Sequence, residues 1–293
     1  RVMMLHENAT WVEHGLAYAG QAGSHVQLQR MIMSYAFFVV LHAAVMVPIM
    51  RSWVGEKKFN ALPSNDQYRL GGYGVSMFHA VVGVAFASFL LVFDTNINED
   101  HLNGHSDGSM SLLAFTAAYF MWDFGMVFRM PEIEMSMVVH HVIGIITVLT
   151  LTHPCFLFYG ICCVMFEAST PFLSMRKILL MRGYKGTRIL GHIEKLFGIS
   201  FLLCRVIFGI PMVLYAFVEG TNLLLEGAIP YPSKYVILLT TCWIQTFLNC
   251  FWFHKIVKMG LKSSTKAGGE SPATATTRTP DADADNNNNK KTL

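Results

Sequence analysis

His140 and His141 stand side by side in Glu134-Met-Ser-Met-Val-Val-His-His-Val-Ile-Gly-Ile-Ile-Thr-Val-Leu149, a run apolar and long enough to enter a bilayer. Imidazoles at that depth have lost water and need partners, so they are functional candidates by default. Adjacent helical residues point about 100° apart. One ring of the pair can therefore face a reacting group while the other packs or holds the first in place. A metal centre is not expected, because zinc-binding helices space their ligands i, i+4 and an i, i+1 pair chelates poorly. Other ionisable or polar groups interrupt apolar runs as well: His79, Asp123, Glu167, Arg205 and Asn249. A carboxylate such as Asp123 or Glu167 inside a span requires a cation, a hydrogen-bond donor or a proton.

The elements that must position these groups follow from hydropathy. The chain has 293 residues, a mean hydropathy of +0.41 and only 14% charged residues, well below the roughly 25% of soluble domains. An all-α, polytopic transmembrane bundle of about seven spans is expected. The spans are Met31–Met50, Tyr73–Phe93, Met110–Phe128, Met135–Leu151, Cys155–Leu173, Ile193–Val218 and Lys234–Val257. The fourth and fifth are short and separated only by Thr152-His153-Pro154, so they also read as one bent hairpin.

Alternating span direction predicts a shared depth. His79, Asp123, His140, His141, Glu167 and Asn249 all fall about 8–12 Å from the same-side ends of their helices, and Arg205 falls somewhat deeper. Two accounts fit: a polar chamber in which cations and carboxylates offset each other's desolvation, or hydrogen-bonded cross-links that only hold helices together. His42 and His79, single histidines in apolar spans, also read as packing residues. Pro171 follows Ser169 and Thr170, whose hydroxyls can satisfy backbone groups that a proline frees. This break either shapes a lateral opening or ends the span.

Basic residues set the orientation. Alternate loops carry Arg51, Lys57, Lys58 and Arg69, then Arg129, then Arg176, Lys177, Arg182, Lys185 and Arg188, then seven more from Lys255 to Lys291. Together these are 17 of the 22 basic residues. That side is read as cytosolic, with a luminal amino terminus (1–30) and a cytosolic carboxyl terminus. Two short signals agree: the sequon Asn8-Ala9-Thr10 as a glycosylation acceptor, and Lys290-Lys291-Thr292-Leu293 as a dilysine-type retrieval signal. Coat proteins would read the latter and return the chain to the endoplasmic reticulum membrane. The pair of lysines also reads as chance in a polar tail. Residues 263–293 are rich in Ser, Thr, Ala, Asp and Asn and are expected to be disordered.

Several classes are excluded. Residues 1–30 lack a compact apolar run ending in a small-residue cleavage site, so no signal peptide is expected. The six cysteines form no CxxC pair and read as small apolar packing residues. Asp94-Thr-Asn96-Ile-Asn98-Glu99 imitates a calcium loop, but Glu99 replaces the glycine at position six and His105 the glutamate at position twelve. No phosphate loop, nucleophile elbow or dinucleotide fingerprint is present. Basic residues flank spans rather than forming a patch, so no nucleic-acid partner is expected.

Over about residues 66–262 the chain resembles the TLC domain family, the ceramide-synthase-like membrane proteins, with one further span at 31–50 ahead of six in the domain. The resemblance is carried by Ser76-Met-Phe-His79-Ala, Tyr119-Phe-Met-Trp-Asp123, His140-His141, Phe166-Glu-Ala-Ser-Thr-Pro-Phe-Leu173 with Arg176, Arg205-Val-Ile, and Phe247-Leu-Asn-Cys-Phe-Trp-Phe253. For ceramide synthases the resemblance implies acyl transfer from acyl-CoA, as co-substrate, to a sphingoid base. His140 or His141 would then be nucleophile or general base on the thioester, with Asp123 and Glu167 as further catalytic candidates. His79, Ser169, Thr170, Arg205 and Asn249 are lipid-binding candidates. The chain departs from the synthases where they carry a further His-Asp…Asp arrangement after the pair. Here that stretch is Glu167-Ala-Ser-Thr, and the loop between the first two spans, about 22 residues, has no homeobox-like insertion. The closest resemblance is therefore to the non-synthase TLC domain-containing proteins.

Three functions are open on this basis. The protein binds or senses membrane lipid and contributes to lipid homeostasis, with no cofactor; or it is an acyl-CoA-dependent N-acyltransferase using His140 or His141; or it is a transporter or structural bundle whose polar layer holds helices together.

Overall fold

A computed structural model describes residues 25–150, 156–229 and 231–269, with the backbone alone over 261–269. Asn8, Lys290 and Lys291 lie outside the described residues. Six helices are long and apolar enough to cross a membrane: α1 His25–Val54, α3 Ser64–Phe93, α5 Asp107–Val127, α7 Leu157–Met181, α8 Arg188–Leu225 and α9 Pro232–Gly269. Two short helices, α2 Glu56–Asn60 and α4 Thr95–Glu99, follow α1 and α3. A seventh apolar helix, α6 Met135–Thr150, has 16 residues, about 24 Å at 1.5 Å per residue. The described residues contain no strand, and the expected all-α polytopic bundle is what forms.

Several boundaries differ from the hydropathy reading. The first helix begins at His25 rather than Met31, the fifth span runs on to Met181 rather than Leu173, and the sixth extends from Arg188 to Leu225. The last continues to Gly269, past the start of the segment read as a disordered tail. Apolar runs mark where lipid touches a helix. The backbone ladder continues beyond that until a cap or turn interrupts it.

Six helices close into a ring. α3 packs on α5, α5 on α6, α6 on α9, α9 on α8, α8 on α7, and α7 back on α3; α1 lies outside this circuit, against α3. Outward-facing Phe89, Val92, Leu203, Ile207 and Phe247 are exposed, as expected of a surface solvated by lipid chains. Close approach depends on glycine in α3. A Cβ on Gly71 would sit 2.6 Å from Val47 and 2.9 Å from His42 of α1, and one on Gly72 would overlap Met126 of α5. Small residues at such contacts let helix backbones approach.

Ring closure at the far end uses Gly220 in the same way. Its missing Cβ leaves room for the ring of Tyr235, whose hydroxyl is held by the Phe217 carbonyl and Thr221, each at 3.1 Å. Tyr235 therefore cannot withdraw cheaply. Gly220→Ala is expected to destabilise the bundle by about 1–3 kcal/mol through overpacking, read as an earlier thermal transition of the full chain in detergent. An unchanged transition would mean that α8 and α9 are not this close.

Three helices carry an irregular turn that ends two to four residues before a proline: a wide π-type turn at Leu41–Met46 before Pro48, a tight 3-10 turn at Met165–Ser169 before Pro171, and a wide turn at Leu202–Ile207 before Pro211. Proline supplies no N–H, so the preceding ladder must adjust. Of the two outcomes expected for Pro171, ending the span is not what occurs. It sits in the first turn of the second half of α7, which continues for ten residues beyond it.

Candidate functional site

The two irregular turns in α7 and α8 face each other and build one wall of a cavity. In the tight turn the Thr170 N–H bonds the Glu167 carbonyl rather than the Phe166 carbonyl, and the Ser169 hydroxyl donates to the Phe166 carbonyl at 3.4 Å. Arg205, inside the wide turn of α8, donates its Nε–H to that carbonyl at 3.0 Å and also meets the Ser169 hydroxyl at 3.2 Å. Its guanidinium lies 3.5 Å from the Glu167 carboxylate, which accepts a second bond from the Thr170 hydroxyl at 2.7 Å. Arg205 and Glu167 are both buried, so each charge compensates the other away from water.

The opposite wall holds a second ion pair. His141 Nε2 is 2.8 Å from Asp123 of α5, and its Nδ1 is 2.8 Å from the Met137 carbonyl one turn back. With the Asp123 carboxylate ionised, both ring nitrogens face acceptors and both donate, which makes the ring an imidazolium paired with that carboxylate. His141 is 2% exposed and has no lone pair to offer a ligand.

His140 is the opposite case, and a chain of hydrogen bonds fixes its tautomer. Arg205 can only donate, so its bond to Asn249 at 3.3 Å requires Oδ1 there. Asn249 Oδ1 then accepts from the Gln245 amide N–H at 3.0 Å. That orients Gln245 Oε1 toward His140, which donates from Nδ1 at 2.8 Å. In the neutral ring Nε2 therefore carries the lone pair, and no described residue hydrogen-bonds it. The ring meets Trp252 and Phe120 edge-on at 5.4 and 5.5 Å, and the Trp252 indole is itself held by Ser136 at 3.2 Å.

The cavity these walls enclose has two parts. The wider, about 530 Å³, is lined from all six ring helices and includes Asp123, His140, His141, Glu167, Ser169, Thr170 and Arg205. The narrower, about 70 Å³, is a mostly apolar slot lined by Leu113, Ile143, Gly144, Val148, Gly160 and Val164 among others. The two parts meet at Phe120, His140, Glu167 and Arg205. Val148 lies eight residues beyond His140, so the slot extends about 12 Å deeper along α6. The basic end of the wide part carries Arg176 on Glu194 at 2.9 Å and Lys255 on Glu134 at 2.6 Å. The Lys255 contact holds the Glu134 carboxyl below its ordinary range.

Two of the residues singled out from sequence do not line this cavity. His79 is fully buried behind Tyr119, stacked on its ring at 3.8 Å and 9°, with Nε2 at 3.4 Å from Thr116. Asn249 is buried behind Arg205 and acts on the cavity through Arg205 and Gln245, both of which bond its Oδ1. Gln245 escaped the sequence reading, yet it lies four residues before Asn249 and so on the same helix face. Lys177 was counted among loop residues because the span was ended too early.

The TLC domain family model matches residues 71–258, the six ring helices without α1. A TLC domain-containing protein 4 C of Dictyostelium discoideum is 25% identical over 77% of this chain and 83% of its own length. A putative TLC domain-containing protein of Acanthamoeba polyphaga mimivirus is 32% identical over 50% of this chain and 71% of its own. An uncharacterised TLC domain-containing protein of Schizosaccharomyces pombe is 26% identical over 56% of each. All three are described as TLC domain-containing proteins and not as ceramide synthases.

Proposed function

This chain belongs to the TLC domain family, and from that premise we propose that it binds a single-chain acyl lipid in the ring cavity and contributes to lipid homeostasis of the endoplasmic reticulum membrane. The observation that carries this is the junction of a wide polar chamber with a narrow apolar slot. An amphiphile fits that shape with its chain in the slot and its polar group among His140, Glu167 and Arg205. The excess of Lys and Arg in one set of loops opens the chamber toward the cytosol and makes the amino terminus luminal. Retrieval by coat proteins through Lys290 and Lys291 would keep the chain in the endoplasmic reticulum.

Capture of a photoactivatable palmitoyl probe by the purified full chain in nanodiscs tests the binding. Labelling is expected on peptides of α6 and α7 and is competed by unlabelled lipid. Labelling confined to the outward faces of α1 and α8 would refute it. A glycan on Asn8 and a protease-accessible carboxyl-terminal tag in sealed microsomes are the expected topology; a protected tag would reverse it.

A second reading is favoured by one specific observation, the unbonded lone pair on His140 Nε2 at the mouth of the slot. An acyl-CoA thioester placed there could be attacked by an amine whose proton Nε2 takes, forming an amide while the thiolate leaves and is protonated. Microsomes given labelled long-chain acyl-CoA and a panel of amine and lysolipid acceptors would then lose product at least about 100-fold on His140→Ala, the scale of a general base, at equal protein level. No product above the variant's background leaves lipid binding as the function.

A further inference from the structure

Resting on the lipid-binding proposal, we propose that Lys177 and Arg69 form an anion site at the wide end of the cavity, which takes a phosphate borne by the bound ligand. Arg176, Lys255 and Arg205 each have a carboxylate partner, Glu194, Glu134 and Glu167 respectively. Lys177 lines the same cavity and has no carboxylate within ion-pair distance among the described residues. The adjacent Arg176 also lines the cavity but is held by Glu194, and the two side chains leave the helix about 100° apart. The Lys177 ammonium sits 5.2 Å from the centroid of the Tyr73 ring.

Arg69 converges on the same tyrosine. It donates to the Tyr73 hydroxyl at 3.1 Å and to Asp66 at 2.8 Å, while its Nε–H is buried with no hydrogen-bond partner. A buried donor without an acceptor is costly, and a ligand oxygen would remove that cost. The carboxylates nearby do not fill this need. Asp123 is engaged by His141, Glu134 by Lys255, and Glu132 is exposed on the loop before α6. Two cations on one tyrosine, one a mobile point charge and one a fixed fork missing an acceptor, suit a phosphate oxyanion. A neutral head group would supply oxygen to Arg69 but no charge to Lys177.

The test uses the full chain in phosphatidylcholine nanodiscs and two photoactivatable probes with the same chain, palmitoyl lysophosphatidate and monopalmitoylglycerol. The charged probe is expected to half-saturate labelling at a concentration about tenfold or more lower, the scale of a charge-assisted contact. Lys177→Met is expected to remove that difference while leaving the neutral probe unchanged, and Lys177→Arg to restore it. Displacement of the charged probe by coenzyme A, with inorganic phosphate as control, would identify the phosphate as that of a water-soluble carrier. Resistance to both would identify a lipid head group. Equal half-saturation by the two probes, or equal weakening of both by Lys177→Met, overturns the anion site alone. Labelling by neither probe overturns lipid binding as well.

Discussion

Replacing Asp123 by Ala is expected to destabilise the protein by about 3 kcal/mol or more, the cost of leaving a buried charge without its partner. The charge is that of His141, which is 2% exposed and donates from both nitrogens. Without the Asp123 carboxylate, 2.8 Å away, the buried ring loses its counter-ion and must either release a proton or keep an uncompensated charge. Thermal or denaturant unfolding of the full chain in detergent reads this directly. The double variant Asp123→Ala/His141→Phe distinguishes an ion pair from simple loss of packing. If the pair is the cause, the two changes together cost less than their sum. A single-variant cost under about 0.5 kcal/mol, the size of an ordinary surface substitution, would mean the pair does not form. The same variants separate the two histidines in function. Asp123 and His141 hold the α5–α6 wall, so their loss should act through stability, whereas His140→Ala should act on ligand chemistry with the fold intact.

Arg205→Met should be of comparable size, about 3–5 kcal/mol, and should reach further. One guanidinium holds the Phe166 carbonyl, the Ser169 hydroxyl, the Asn249 amide and the Glu167 carboxylate. Removing it leaves Glu167 with only the Thr170 hydroxyl and takes the guanidinium from the Phe166 carbonyl, whose remaining side-chain donors are the Ser169 hydroxyl at 3.4 Å and the Cys204 thiol at 3.6 Å. Arg205→Met/Glu167→Gln removes both charges and is expected to recover more than half of the loss. A double variant as unstable as the single one would mean that the backbone bonds, rather than the ion pair, dominate. Arg205 also imposes the polarity of the Asn249–Gln245–His140 chain. In the double variant, even if folded, Asn249 and Gln245 can turn over and the lone pair of His140 is no longer held on Nε2. Lipid capture or acyl transfer should therefore stay impaired after stability returns. That separation cannot come from packing alone.

Much of this was legible in the residue order. A bundle of apolar helices follows from hydropathy because backbone groups in hydrocarbon must bond within their own helix. Counting residues from helix ends brought Asp123, the histidine pair, Glu167 and Arg205 to neighbouring depths, because rise per residue hardly varies. The same count could not distinguish a residue on the cavity from one behind it. His79 shares the depth and is shielded by Tyr119, since depth is one coordinate and the direction in which a side chain points is another.

Pro171 was visible as a break, but its consequence was not. A carbonyl of the tight turn before it accepts from an arginine 39 residues later in the chain, a pairing that depends on how α7 and α8 meet. Likewise the histidine pair was recognisable as two rings unable to face one point. Which of them keeps a lone pair depends on Gln245, 105 residues away, and on a polarity that starts at Arg205. Order along the chain specifies helices and depths, because those rest on local backbone geometry and transfer to lipid. Proton positions and cavity walls rest on contacts between helices far apart in that order, and they exist only once the ring has closed.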